Sequence, residues 1–152
     1  MYSHALSLGR TFGVVLEPGE DFFPALHAFC AGNDVRQGYV PMFLAAFSDV
    51  EIVGTCEEVE DPQAPVWRSV HLTNVEALGC GTLAFDPAAR SVLPHFHVAT
   101  GEKTRSAAGY MSHLLQARVQ FLVEMVVVEV TSPPLGRRPR PDLYHVPFLT
   151  FD

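Results

Sequence analysis

Cysteine is scarce in this chain of 152 residues: there are three, Cys30, Cys56 and Cys80, with no CxxC spacing and an odd count. A disulfide framework is therefore excluded, and the three thiols are expected to be small core residues in a reducing compartment. Basic charge is also short. Ten Lys and Arg stand against 17 Asp and Glu, a net charge of -7, which argues against a broad electrostatic footprint for nucleic acid or an anionic membrane. Long apolar runs are missing, since residues 121–130 are interrupted by Glu124 and Glu129 and are too short to span a bilayer. Residues 1–13 lack a basic start followed by an apolar run, so no secretory signal and a cytoplasmic location are expected. There is no GxSxG elbow, and Ser112 and His113, as neighbours on a strand, would point apart, which leaves nucleophilic catalysis without support. Gly79 and Gly81 lack the further glycines and the helix of a dinucleotide fingerprint. No internal repeat is visible.

What is present suits one compact domain, because 48% hydrophobic residues in a chain this long can build a core without help from a metal or disulfide. Residues 10–16 alternate as a strand, and Pro18 and Gly19 then turn the chain. Glu20 and Asp21 suit a helix N-terminus, Phe22, Leu26, Phe29 and Cys30 recur at helical spacing, and Gly32 and Asn33 end the helix. Residues 39–53 are rich in β-branched and aromatic side chains and predict two strands, with Pro41 at an edge or bulge and a bend at Ser48 and Asp49. Residues 57–65 (EEVEDPQAP) predict an exposed acidic loop. Residues 66–77, 79–85 and 92–99 predict three strands, the last two forming a hairpin through the turn 86–90. A polar loop at 101–106 leads to a segment carrying His113 and to the longest strand, 117–130. The Pro- and Arg-rich stretch after Ser132 ends in the apolar run 146–151. The expected class is α+β: a mostly antiparallel twisted sheet with one main N-terminal helix. We expect a single domain over 1–152, with its core at 10–130 and a C-terminal extension at 131–152.

The sharpest chemical signal is His95-Phe96-His97, because side chains two apart on a strand share a face, about 7 Å apart along the backbone. Phe96 and Val98 would then face the core. His113, from a following segment, could add a third nitrogen, giving a three-histidine set that leaves one tetrahedral position of a zinc open. With seven histidines, an HxH pair arises by chance about 0.3 times in a sequence of this size, so a polar strand face is the plain alternative. Glu124, inside an otherwise apolar run, must be paired, protonated or aimed at a cation, or must face water or a neighbouring subunit. Glu76 and His71 are weaker candidates of the same kind, supporting a metal site from outside it. The run 136–141 (GRRPRP) could hold arginines extended for a narrow minor groove, although such a run is more often a surface tail pairing with acidic loops.

Taken together, residues 12–21 (FGVVLEPGED) with the helix after them, 47–52 (FSDVEI), the HFHV at 95–98, and the SHLL at 112–115 leading into 119–130 resemble the PPC domain. This is the plants-and-prokaryotes-conserved domain, found also beside the AT-hooks of plant nuclear proteins. The likeness covers roughly 10–130 in the right order. It implies an α+β fold, homotrimers built by strands meeting across subunits, and a histidine cluster matching His95, His97 and His113. It also implies a fold similar to that of acetolactate decarboxylase, a zinc enzyme. The chain departs from the family at 42–46 (MFLAA), where a Gly-rich segment is common, and at Met111 and Ser112, where Gly-Gly is usual. The AT-hook core Arg-Gly-Arg-Pro is absent, so DNA binding does not follow from the likeness. The resulting expectation is a metal-binding homotrimer with a ligand-binding or regulatory role, the metal being divalent and best matched by zinc. One alternative is a zinc-dependent lyase acting on a small oxo-acid, with Glu124 or Glu76 handling the proton. The other is a DNA-associated regulatory protein resting on Arg137, Arg138 and Arg140.

Overall fold

The computed structural model describes residues 1–55, 67–143 and 145–151. In chain order the elements are strand β1 (Ser7–Leu16), helix α1 (Phe22–Gly32), and strands β2 (Gly38–Thr55), β3 (Trp67–Asp86), β4 (Ser91–Glu102), β5 (Met111–Ser132), β6 (Leu135–Arg140) and β7 (Val146–Phe151). Strands make up 68% of the chain, so the expected α+β class holds broadly, with a small helical share. The main sheet runs β1-β5-β2-β3-β4 with every pairing antiparallel, and β5 also pairs with β4. Strands β2, β3, β4 and β5 thereby close on themselves, and β1 flanks β5 outside the ring.

Helix α1 fills this closed sheet. Phe22, Leu26 and Cys30, spaced four apart, are its buried residues. The Phe22 ring lies 5.1 Å from Phe43 and 6.0 Å from Phe47 of β2 and 5.4 Å from Phe96 of β4, so three rings from two strands converge on one helical side chain. Phe29, only partly buried, packs edge-on against Phe12 of β1. Asn33 ends the helix as expected, its side chain bonding the Phe29 carbonyl.

Two predicted breaks are not breaks. Residues 39–53 form one strand rather than two, because the register shifts at Pro41 and again at Ser48, and a bulge bends a strand without ending it. Of the stretch read as two strands over 66–85, residues 67–85 belong to one strand. Gly79 and Gly81 serve close approach instead of turning the chain: a Cβ on Gly79 would lie 2.3 Å from the Phe43 ring, and one on Gly81 2.6 Å from the His95 carbonyl. The hairpin through 86–90 forms as predicted, with Asp86 accepting a bond from the Ala88 amide and Arg90 at positive φ. The longest strand begins at Met111, six residues earlier than expected, and so takes in His113. The tail is also more ordered than predicted: β6 and β7 pair as a second, two-stranded sheet. Leu135, Leu149 and Phe151 of this hairpin cover Tyr39, Ala84, Leu93 and Val130 on the outer face of the main sheet.

Cys30 is buried as expected, but Cys80 is exposed, because in β3 it alternates with the buried Gly79 and faces outward. Cys56 and the acidic run 57–65 lie outside the described residues.

Candidate metal centre

Strand alternation builds the site. In β4, Phe96 and Val98 are buried against the core, which sends His95 and His97 to the outer face. In β5, Leu114 is buried, so His113 also points outward. The third ligand is brought in by the short seam between β4 and β5, where His97 stands directly opposite His113. Ser112 braces that end of β5 by donating its hydroxyl to the Val53 carbonyl of β2.

The three rings form a nearly equilateral group, with centroids 5.2 Å (His95 to His97), 4.9 Å (His95 to His113) and 5.5 Å (His97 to His113) apart. One ring nitrogen from each lies within 4.8 Å of the others. Ligands about 2.05 Å from a tetrahedral zinc sit about 3.3 Å from one another, so modest rotation of the imidazoles brings this set to coordination distance. The protonation states also fit. Burial, then the charge of Arg137 and the neighbouring His113 and His97, hold His95 down to about 4. Burial first, then His97 and Arg137, lower His113 as well. At neutral pH these two imidazoles present lone pairs rather than protons to a cation.

Arg137 is the site's unforeseen member. Leu135 is buried at the start of β6, and Arg137, two residues on, lies on the same face and reaches the main sheet. Its Nη2 donates to Thr82 Oγ1 at 2.5 Å, while its bonds to the Leu93, Thr82 and Pro147 carbonyls are long, at 3.4–3.5 Å. Thr82 is the cross-strand partner of His95, and the guanidinium is thereby set beside the histidines. The sequence signal was the extended alternation from Leu135 to Arg137, masked by the resemblance of GRRPRP to a groove-binding tail.

The carboxylates lie elsewhere. Glu124 is exposed on the outer face of the sheet, opposite Val15 of β1 and Leu44 of β2. Glu76 pairs with Lys103 at 2.8 Å, and His71 pairs with Glu51 at 3.3 Å across β2 and β3. Among the described residues, the potential ligand group comprises the three histidines alone.

One family model, Plants and Prokaryotes Conserved (PCC) domain, matches residues 3–131. The chain belongs to that family. Among solved structures, a plant- and prokaryote-conserved protein of Pyrococcus horikoshii superposes on this PCC-domain protein with a TM-score of 0.81 at 19% identity, covering 99% of this chain and 97% of that one. A metal-containing protein of Archaeoglobus fulgidus gives 0.80 at 17%, covering 99% of each chain. A protein of Bacteroides thetaiotaomicron whose name proposes DNA binding gives 0.77 at 20%, covering 96% and 97%. The α-acetolactate decarboxylase of Bacillus subtilis is a looser likeness, with a TM-score of 0.52 at 13% identity over 84% of this chain and 54% of the enzyme. At these identities the likenesses establish the fold. No curated protein matches the chain. Among the described residues, no helix is long and apolar enough to cross a membrane.

Proposed function

We propose that this PCC-domain protein binds one divalent metal ion per chain, zinc by preference, through His95, His97 and His113, and acts as a homotrimeric ligand-binding or regulatory module. The observation that carries this reading is the convergence of three ring nitrogens within 4.8 Å on the outer face of the sheet. A bound zinc supplies a Lewis acid with a position open to a ligand. The chain's own residues do the rest: β4 and β5 fix the imidazoles, and burial keeps His95 and His113 unprotonated.

Subunit contact is supported by a row of exposed apolar residues across the outer face. Val15, Leu44, Leu78 and Met111 belong to one line of cross-strand neighbours, with Glu124 between the first two. The lyase reading draws no support from the positions of Glu124 and Glu76. The DNA reading rests on arginines that the hairpin already uses: Arg137 is turned to the sheet, and Arg140 pairs with Asp142 at 2.5 Å.

Elemental analysis of protein purified without a histidine tag tests the metal reading. About one equivalent per chain is expected, with loss in a His95→Ala, His97→Ala double variant. No metal after reconstitution overturns it. Sedimentation velocity tests the assembly, and a monomer at micromolar concentration removes the trimer.

A further inference from the structure

The hairpin of β6 and β7 lies beyond the 3–131 span of the family match, yet it delivers a part-buried cation to the histidine cluster. Arg137 has no carboxylate partner among the described residues, and its bonds run to a hydroxyl and to carbonyl oxygens. A desolvated guanidinium without a counter-ion is costly, and the cost grows when a dication is held a few ångströms away. Imidazole binds a metal in its neutral form, so one guanidinium and one divalent ion would add up to three positive charges, with no protein carboxylate among the candidate ligands. The charge balance calls for a bound anion.

The surroundings narrow the anion's chemistry. A recess of about 440 Å³ between the sheet and the hairpin is walled by Leu6, Tyr39, Leu135, Leu149 and Phe151. Thr82 and Cys80, which line the same recess, are the cross-strand partners of His95 and His97. The polar side chains lining the recess are Tyr39, Cys80 and Thr82, and Thr82 is the one that Arg137 bonds, so the recess adjoins the guanidinium through Thr82, which suits a ligand with one anionic end and a hydrocarbon body. Inorganic phosphate would meet the charge but leave those apolar walls unfilled.

We infer that the histidine centre is the head of a small-carboxylate site, in which Arg137 takes the carboxylate of an organic acid and the recess under the hairpin takes its apolar part. This rests on the metal reading above and adds the ligand class to it. Arg137 binds by charge and by its planar fork, which lysine lacks.

The test uses cobalt-loaded full-length protein, titrated with acetate, butyrate and inorganic phosphate and followed by the visible cobalt spectrum and by calorimetry. Butyrate is expected to bind more tightly than acetate, by up to about fourfold per added methylene, and both more tightly than phosphate. Arg137→Gln is expected to keep one cobalt per chain, to bind cobalt more tightly in anion-free buffer because a repelling charge is gone, and to weaken butyrate about tenfold or more. Arg137→Lys should recover part of that loss. Equal butyrate affinity in wild type and Arg137→Gln overturns the inference, as does a preference for phosphate over butyrate. Failure of the wild type to take up cobalt strikes instead at the metal reading, so the two failures are distinguishable. Should Arg137→Gln not fold, Arg137→Met fills the same space and faces the same outcomes.

Discussion

Replacing Gly79 by alanine sets two opposing effects against each other. In an extended strand, alanine narrows the unfolded ensemble and so favours the native state by about 0.4–1 kcal/mol, provided that the new methyl group fits. Here it does not. The added Cβ would lie 2.3 and 2.4 Å from two carbons of the Phe43 ring and 2.7 Å from the His97 carbonyl oxygen. Phe43 is fully buried, with Phe22 at 5.1 Å, Phe96 at 6.0 Å and Phe47 at 6.4 Å between ring centroids, so the ring cannot swing away cheaply. The other obstacle is backbone. Overpacking of this kind costs about 1–3 kcal/mol, and two stiff obstacles place it in the upper half of that range. The net loss is about 1–2.6 kcal/mol, which lowers Tm by about 2–10 °C in a domain of this length. Gly13, exposed on β1 with nothing within 4 Å of its would-be Cβ, is the control. Gly13→Ala should raise Tm by about 1–4 °C through the unfolded state alone. Thermal unfolding of the metal-free proteins by circular dichroism measures both. An unchanged or raised Tm for Gly79→Ala, or an equal fall for Gly13→Ala, refutes the packing argument.

Phe22→Ala empties the centre of the aromatic cluster and should cost about 3–5 kcal/mol, measured by urea unfolding; a loss below 1 kcal/mol would mean that helix and sheet repack around the gap. Glu129 is held down to about 2 by the Arg10 guanidinium, which bonds both of its carboxylate oxygens, at 2.7 and 2.8 Å, and by the Arg10 amide. An unfolded glutamate takes up its proton near 4.5, so this pair's contribution is complete above that pH and is lost as pH falls towards 2. The Tm difference between wild type and Arg10→Met should shrink across that window, and a constant difference would contradict the assignment. Cys80 is exposed whereas Cys30 is buried, with its thiol pushed up to about 11, so peptide mapping after brief alkylation should find Cys80 labelled well before Cys30. Reversed order would contradict the placement of Cys80 on the outer face.

Alternation carried most of what could be read before the structure was known. It placed His95 and His97 outward and Phe96 and Val98 inward, and all four lie that way. Helical spacing found Phe22, Leu26 and Cys30 equally well. Boundaries failed where a residue has two uses. The break placed between Ala77 and Gly79 is absent: β3 runs through, and Gly79 and Gly81 lie inside it where Phe43, Phe96 and the β4 backbone come too close for any Cβ. The bulge expected at Pro41 is there, but the split of 39–53 into two strands with a bend at Ser48 and Asp49 is not, since further register shifts let β2 continue. His113 was legible as a third candidate ligand, but not its register directly opposite His97, since that pairing depends on how the sheet closes. Arg137 was missed for the same reason: its place beside His95 follows from the docking of a hairpin onto a distant strand.

The closed sheet is a ring with a short clasp. Strand β4 meets β5 through His97, Val98 and Ala99, with Thr100 and Tyr110 exchanging backbone bonds just beyond, whereas the other seams of the ring run along most of a strand. Two of the three candidate ligands are the first pair of that clasp. An ion held at the proposed site would tie the two strands together, and its departure would leave the shortest seam of the ring to its backbone bonds alone. With an ion bound at the proposed site, opening of this seam and release of the ion would be coupled, and exchange of the Val98 amide proton, which faces β5, would report how long the ion stays.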